Sequence, residues 1–204
     1  MIRKLSLLLF MIGFIVVAYS SWNYIQATQS VQEIPEKSEQ TEVVSIDTTE
    51  KNIPEKSDET VDPLTLNYDI ETGSEVAMLD IPDIDKRFTT YWGADERTLN
   101  QGVGMYVSEW TTVPNHEGGH TVLSGHRDTV FTGLDELDQG DTLEVHYDGE
   151  TFTYEINKTW ITDADDRTVI VEKDEPTLTL TTCYPFDYIG FAPDRYIVEA
   201  TLVE

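Results

Sequence analysis

Cys183 is the only cysteine in 204 residues. It ends the alternating run Thr177-Leu178-Thr179-Leu180-Thr181-Thr182-Cys183, and a second such run opens at Arg195. Upstream, Ser124-Gly125-His126-Arg127-Asp128 supplies a histidine. These three residue types can divide one reaction between them. A thiolate attacks a carbonyl, an imidazole carries the proton, and a guanidinium holds the developing oxyanion. The competing reading of a lone cysteine is a small buried hydrophobe, and its position alone leaves both open. Export shifts the balance, because cysteines outside the cytosol usually pair unless their reactivity is wanted.

Period-two geometry says how strands would present the three groups. In the run before Cys183, Leu178, Leu180 and Thr182 share one face, and Thr177, Thr179, Thr181 and Cys183 share the other. The leucines mark the core side, so Cys183 ends a threonine-lined face. In the last run Tyr196, Val198, Ala200 and Leu202 form the apolar face, leaving Arg195 on the opposite one. The eleven residues 184–194 separate Cys183 from Arg195. Adjacent strands joined by that loop would put thiol and guanidinium on one wall.

The N-terminus points to export. Arg3-Lys4 precede an apolar run from Leu5 to Ala18, which continues with interruptions to Ile25. The interrupted stretch reaches the roughly 20 residues a bilayer span needs. A signal peptide cut near Ala18-Tyr19-Ser20 fits the small-residue rule only loosely. Trp22 and Tyr24 sit where interfacial aromatics belong, so the reading is an uncleaved anchor. Residues 1–4 are then its cytoplasmic end, residues 5–25 the transmembrane segment, and the rest is extracellular. Residues 26–75 read as a disordered acidic stalk. Between Val31 and Glu75 thirteen acids face three lysines, with Tyr68 the single aromatic, too little apolar surface to offset ordering entropy. Ile34-Pro35-Glu36-Lys37-Ser38 recurs there as Ile53-Pro54-Glu55-Lys56-Ser57, a linker duplication. The formal net charge of −26 argues against nucleic acid and against electrostatic binding to anionic lipid.

Residues 76–204 suffice for one domain with a single core. Thr142–Tyr147 and Thr151–Ile156 alternate on either side of Asp148-Gly149, a hairpin signal. Further strands are expected at Val76–Ile81, Phe88–Tyr91, Thr121–His126, Arg167–Val171, Thr177–Thr182 and Arg195–Leu202. Short helices are expected near Asp95–Gln101 and Val130–Leu137. The fold class is all-β dominated, a closed or nearly closed barrel with small helical connections.

Three ordered motifs carry a resemblance. Leu178-Thr179-Leu180-Thr181-Thr182-Cys183, Leu123-Ser124-Gly125-His126-Arg127-Asp128-Thr129 and Ala192-Pro193-Asp194-Arg195-Tyr196 resemble the sortases, membrane-anchored cysteine transpeptidases of Gram-positive bacteria. The Thr182-Cys183-Tyr184-Pro185-Phe186 and Tyr188-Ile189-Gly190-Phe191-Ala192-Pro193 contexts look most like class D. The resemblance implies an eight-stranded sortase barrel, with Cys183 as nucleophile, His126 as general acid or base and Arg195 as substrate and oxyanion partner. It implies cleavage of a Leu-Pro-x-Thr-Gly or Leu-Pro-x-Thr-Ala sorting signal after the threonine, through a thioester, and transfer of the surface protein to an amine of a lipid-linked cell-wall precursor. Asp128 is a candidate for orienting the imidazole, and Thr181, Thr182 and Tyr184 for lining the substrate groove. The chain departs from its relatives at Pro114-Asn115, at His120, where Asn is more usual, and at Met105.

No cofactor and no metal are expected. His116, His120 and His146 lack ligand spacing and read as solvent-facing. The acids Asp163–Asp166 and Asp135–Asp138 lack the pattern of a calcium loop. Two other classes remain. A different secreted thiol peptidase or an L,D-transpeptidase is one, although the Ser-His-Gly-Cys type motif is absent. A non-catalytic sortase-like wall-binding module is the other, and an intact Cys, His and Arg set argues against it.

Overall fold

The computed structural model describes residues 2–29, 31–34, 69–187, 190 and 192–204. Its strands are β1 (Val31–Glu33), β2 (Glu75–Ile81), β3 (Lys86–Trp92), β4 (Val103–Met105), β5 (His120–Ser124), β6 (Thr142–Tyr147), β7 (Glu150–Asp163), β8 (Thr177–Tyr184) and β9 (Asp194–Leu202). The helices are α1 (Ile2–Gln29) and α2 (Glu96–Leu99), with single 3-10 turns at Pro82–Ile84 and Leu134–Glu136. The sheet order is β1-β3-β2-β6-β7-β9-β8-β5-β4, and a further β3–β4 pairing closes β2 to β9 into an eight-stranded barrel.

The expected alternation is what closes it. Leu79, Ile81, Phe88, Leu143, Val145, Ile156, Leu178, Leu180 and Val198 are fully buried in one cluster. Each contributes about 1.5–3 kcal/mol relative to exposure. The β6–β7 hairpin turns at Asp148 (φ 48) and Gly149 (φ 83), both left-handed, as a two-residue turn matched to strand twist requires. Beside it Asp80 is buried, accepting from Arg87 Nε at 2.6 Å and Nη2 at 2.5 Å, with His146 Nε2 at 3.1 Å. Burial opposes ionisation of Asp80, but bonds from Arg87 and His146 overcome it and hold its carboxyl below the usual range.

Four expectations change. Residues 167–171 are not a strand, because Asp166 Oδ1 accepts from Thr168 N and Oγ1 (2.8 and 2.7 Å) in a local turn that competes with sheet pairing. The pairing goes instead to a longer β7, whose Trp160, Ile161 and Thr162 oppose Ile197, Tyr196 and Arg195. The helix expected at 130–137 is a series of turns ending in one 3-10 turn. His120 is fully buried rather than solvent-facing, and His146 is half-buried.

Most of the stalk expected at 26–75 lies outside the described residues, but its described ends carry structure. Val31–Glu33 pair with Phe88–Lys86 as an edge strand. Ile70 packs on the core, and Gly73 N donates to Trp92 O at 2.7 Å, so the domain begins before Val76. The apolar run at 5–25 lies in α1, with Leu9, Phe10, Phe14 and Trp22 exposed. Among the described residues no helix is long and apolar enough to cross a membrane.

Candidate active site

Cys183 and Arg195 are direct cross-strand partners at the shared end of β8 and β9. Opposed residues of an antiparallel pair face the same side with Cα atoms about 4.5–5.5 Å apart. On the other flank of β8, parallel β5 pairs Ser124 with Thr181. Gly125 N extends that ladder by donating to Thr181 O at 3.2 Å, and Thr182 Oγ1 donates to Gly125 O at 2.7 Å. The chain leaves β5 held beside β8, and His126 arrives at the level of Cys183. Gly125 makes this approach feasible. A Cβ there would meet Val130 Cγ2 at 2.7 Å and Phe131 Cδ2 at 2.8 Å.

Cys183, His126 and Arg195 thus line one groove of about 410 Å³. All three are half-buried, reachable by a substrate yet partly shielded from water. Thr181 and Thr182 contribute to the wall. Tyr184 does not. Its ring packs on Phe186 and Tyr196, at centroid distances of 5.9 and 6.4 Å, and braces the loop after β8. Asp128 is exposed and lies outside the groove lining. Arg195 Nη1 donates to the carbonyls of Asp194 and Ala192 at 2.9 and 3.3 Å. Among the described residues no carboxylate forms an ion pair with Arg195. Carbonyl contacts fix one edge of the guanidinium without cancelling its charge.

Three features escaped the sequence reading. Arg127 Nη1 donates to Pro185 O at 2.7 Å and Nη2 to Gly190 O at 3.1 Å, tying the His126 turn to the loop between Cys183 and Arg195. The groove's outer wall is the β7–β8 connection, where Val169 and Ile170 stand with Asp163 and Asp166. Hydrogen bonds from Thr162 and Thr168 hold the Asp166 carboxyl below the usual range. The third is His120, whose Nδ1 meets Val171 O and whose Nε2 meets Thr179 Oγ1, both at 2.8 Å. A carbonyl can only accept, so Nδ1 carries the proton and Nε2 accepts from the hydroxyl. Burial pushes the His120 pKa down, keeping the ring neutral. The Asp166-Arg167-Thr168 turn was readable as a local hydrogen-bonding motif. The His120 strut joins residues 51 and 59 positions apart, and no local pattern announces it.

Among the described residues the one cluster of ligand-type side chains is Asp80, Glu144 and His146. Arg87 already occupies both Asp80 oxygens, so the cluster is explained as an ion-pair network.

The sortase-domain family matches residues 79–203. Sortase D of Bacillus subtilis (strain 168) is 46% identical over 129 residues, 63% of this chain and 64% of that protein. The match therefore spans a little under two thirds of that relative's length. The catalytic domain of B. anthracis sortase D is 63% identical with a TM-score of 0.59, covering 69% of this chain and 95% of that one. A Clostridium perfringens sortase D5 transpeptidase is 31% identical with a TM-score of 0.58, over 67% of this chain and 83% of that one. With the family matched across the barrel and class D relatives on both counts, the chain belongs to the sortase family, in its class D.

Proposed function

We propose that this chain is a cysteine transpeptidase that cuts a Leu-Pro-x-Thr-Gly/Ala-type sorting signal after the threonine. It then joins the surface protein to an amine of a cell-wall precursor. The observation that carries the reading is the cross-strand pairing of Cys183 with Arg195 in a groove that also holds His126. The Cys183 thiolate attacks the threonine carbonyl carbon, and Arg195 donates to the oxyanion. The C–N bond breaks, and the departing amine takes a proton from His126. An acceptor amine then attacks the thioester, C–N forms, C–S breaks, and His126 removes the amine proton. A thioester conserves the acyl bond, so a positioned amine competes with water.

The anchoring reading goes with it. The apolar sequence 5–25, preceded by Arg3-Lys4, holds the enzyme in the cell membrane with the barrel outside. The amine of a lipid-linked precursor would then lie at the same surface.

The test is product analysis. Incubation with a Leu-Pro-x-Thr-Ala peptide gives the hydrolysed acid without amine, and the amide when an oligoglycine or diamino-acid amine is added. Cleavage whose product mass never changes with added amine makes the chain a thiol peptidase instead.

A further inference from the structure

A second cavity, of about 530 Å³, opens beside the groove. Tyr106, Asp166 and Ile170 line both, so the two adjoin. Trp110, Arg167 and Val171 complete the second. Trp110 is 50% exposed and Val171 37%, an unusual display of large apolar side chains on so acidic a surface. The rim carries one charge of each sign, Asp166 and Arg167, and hydrogen bonds from Thr162 and Thr168 already engage the carboxylate. This chemistry favours an apolar side chain over a charged one.

The His120 strut sets the distance of this cavity from the thiol. Val171 is tied to His120 Nδ1, while His120 lies opposite Thr177 and bonds Thr179. Val171, the far wall of the cavity, therefore lies level with Thr177–Thr179, four to six residues along β8 from Cys183. At about 3.3 Å per residue that is roughly 13–20 Å. An extended peptide covers the same distance with its fifth to seventh residues counted back from the scissile carbonyl, the threonine being first. In a Leu-Pro-x-Thr signal the leucine is fourth, and the fifth and sixth precede the signal.

We propose that the Trp110 cavity is a specificity subsite for an apolar residue in the two positions before the sorting signal, resting on the sorting-signal reading above. The acyl portion must stay in place while its thioester awaits the amine, and this cavity lengthens its hold. Trp110 acts by contact with substrate and takes no part in bond making.

The test compares Leu-Pro-x-Thr-Ala peptides preceded by Gly-Gly, Phe-Gly or Gly-Phe, using the full chain in detergent. One phenylalanine peptide should exceed the Gly-Gly peptide about fivefold in kcat/KM, mostly through KM, as partial burial of one aromatic side chain gives. In Trp110→Ala the advantage should vanish while the Gly-Gly rate holds, and Trp110→Phe should restore most of it. Equal rates for all three peptides overturn the subsite, as does an advantage that survives Trp110→Ala. If Trp110→Ala slows the Gly-Gly peptide equally, Trp110 is structural and the subsite falls. Failure to cut any of the peptides overturns the sorting reading and the subsite with it, whereas cutting all alike overturns only the subsite.

Discussion

Replacing His120 should loosen one wall of the groove while leaving Cys183, His126 and Arg195 untouched. In His120→Leu the Thr179 hydroxyl loses its partner in a fully buried place, and the part-buried Val171 carbonyl loses its own. A buried polar group left unpaired costs about 1–3 kcal/mol, and the leucine returns some of that in apolar burial. The net loss should be about 2 kcal/mol. For a domain of this size that lowers Tm by about 7 °C. His120→Asn should cost about half as much, because an amide N–H can reach Val171 O from the Nδ1 position. The pH dependence adds a sign. Burial depresses the folded-state pKa of His120 below its ordinary 6.5. The neutral ring's stability is therefore fully present above that value. It is lost as pH falls below it, since the unfolded chain binds a proton the folded one refuses. The slope reaches up to about 1.4 kcal/mol per pH unit. Thermal unfolding of a fragment starting at Asp69, at about pH 7.5 and about pH 5.5, reads both effects. The difference between native and His120→Asn cancels the carboxylates they share. An Asn variant that loses as much stability on acidification as the native domain refutes the argument. So does a Leu variant that melts within about 2 °C of native.

Arg195→Lys should lower kcat/KM by about 10²–10³, because a point charge cannot supply the guanidinium's directed donors; near-native turnover places Arg195 outside the chemistry. Arg127→Ala frees Pro185 and Gly190 from the His126 turn and should reduce turnover about tenfold with little change in Tm; unchanged kinetics would show that these residues are held by other contacts. Gly125→Ala drives a methyl into Val130 and Phe131, and should cost about 1–3 kcal/mol together with most of the activity, since His126 moves with it; a fully active, fully stable variant contradicts the close approach. A fragment starting at Val31 should melt above one starting at Asp69, because Val31 packs on the core and pairs with Phe88; equal melting would mean that β1 adds nothing.

The barrel was legible because most of its strands have one apolar face, and the pairing of Cys183 with Arg195 followed from the phase of two alternating runs. Period two could not say which strands neighbour each other, so the parallel β5–β8 pairing that delivers His126 came from the fold. The Arg167–Val171 stretch looked like a strand because it holds the β-branched run Thr168-Val169-Ile170-Val171, yet the Asp166 turn captures the backbone first. His120 looked like a surface histidine because its two partners, Val171 and Thr179, are distant in the chain. The short β1 is invisible to pattern, since three residues in an acidic linker carry no periodicity and owe their pairing to the edge that β3 offers.

The central claim is that Cys183 carries the acyl group. Intact-protein mass spectrometry, after acid quenching of a Leu-Pro-x-Thr-Ala reaction run without amine, tests it most directly. The account predicts a single adduct equal to the peptide's acyl portion, located on Cys183, removed by hydroxylamine and absent from Cys183→Ala, which keeps the native fold and cleaves nothing. A Cys183→Ala protein that still cuts the peptide, or an adduct found on any other residue, would contradict it.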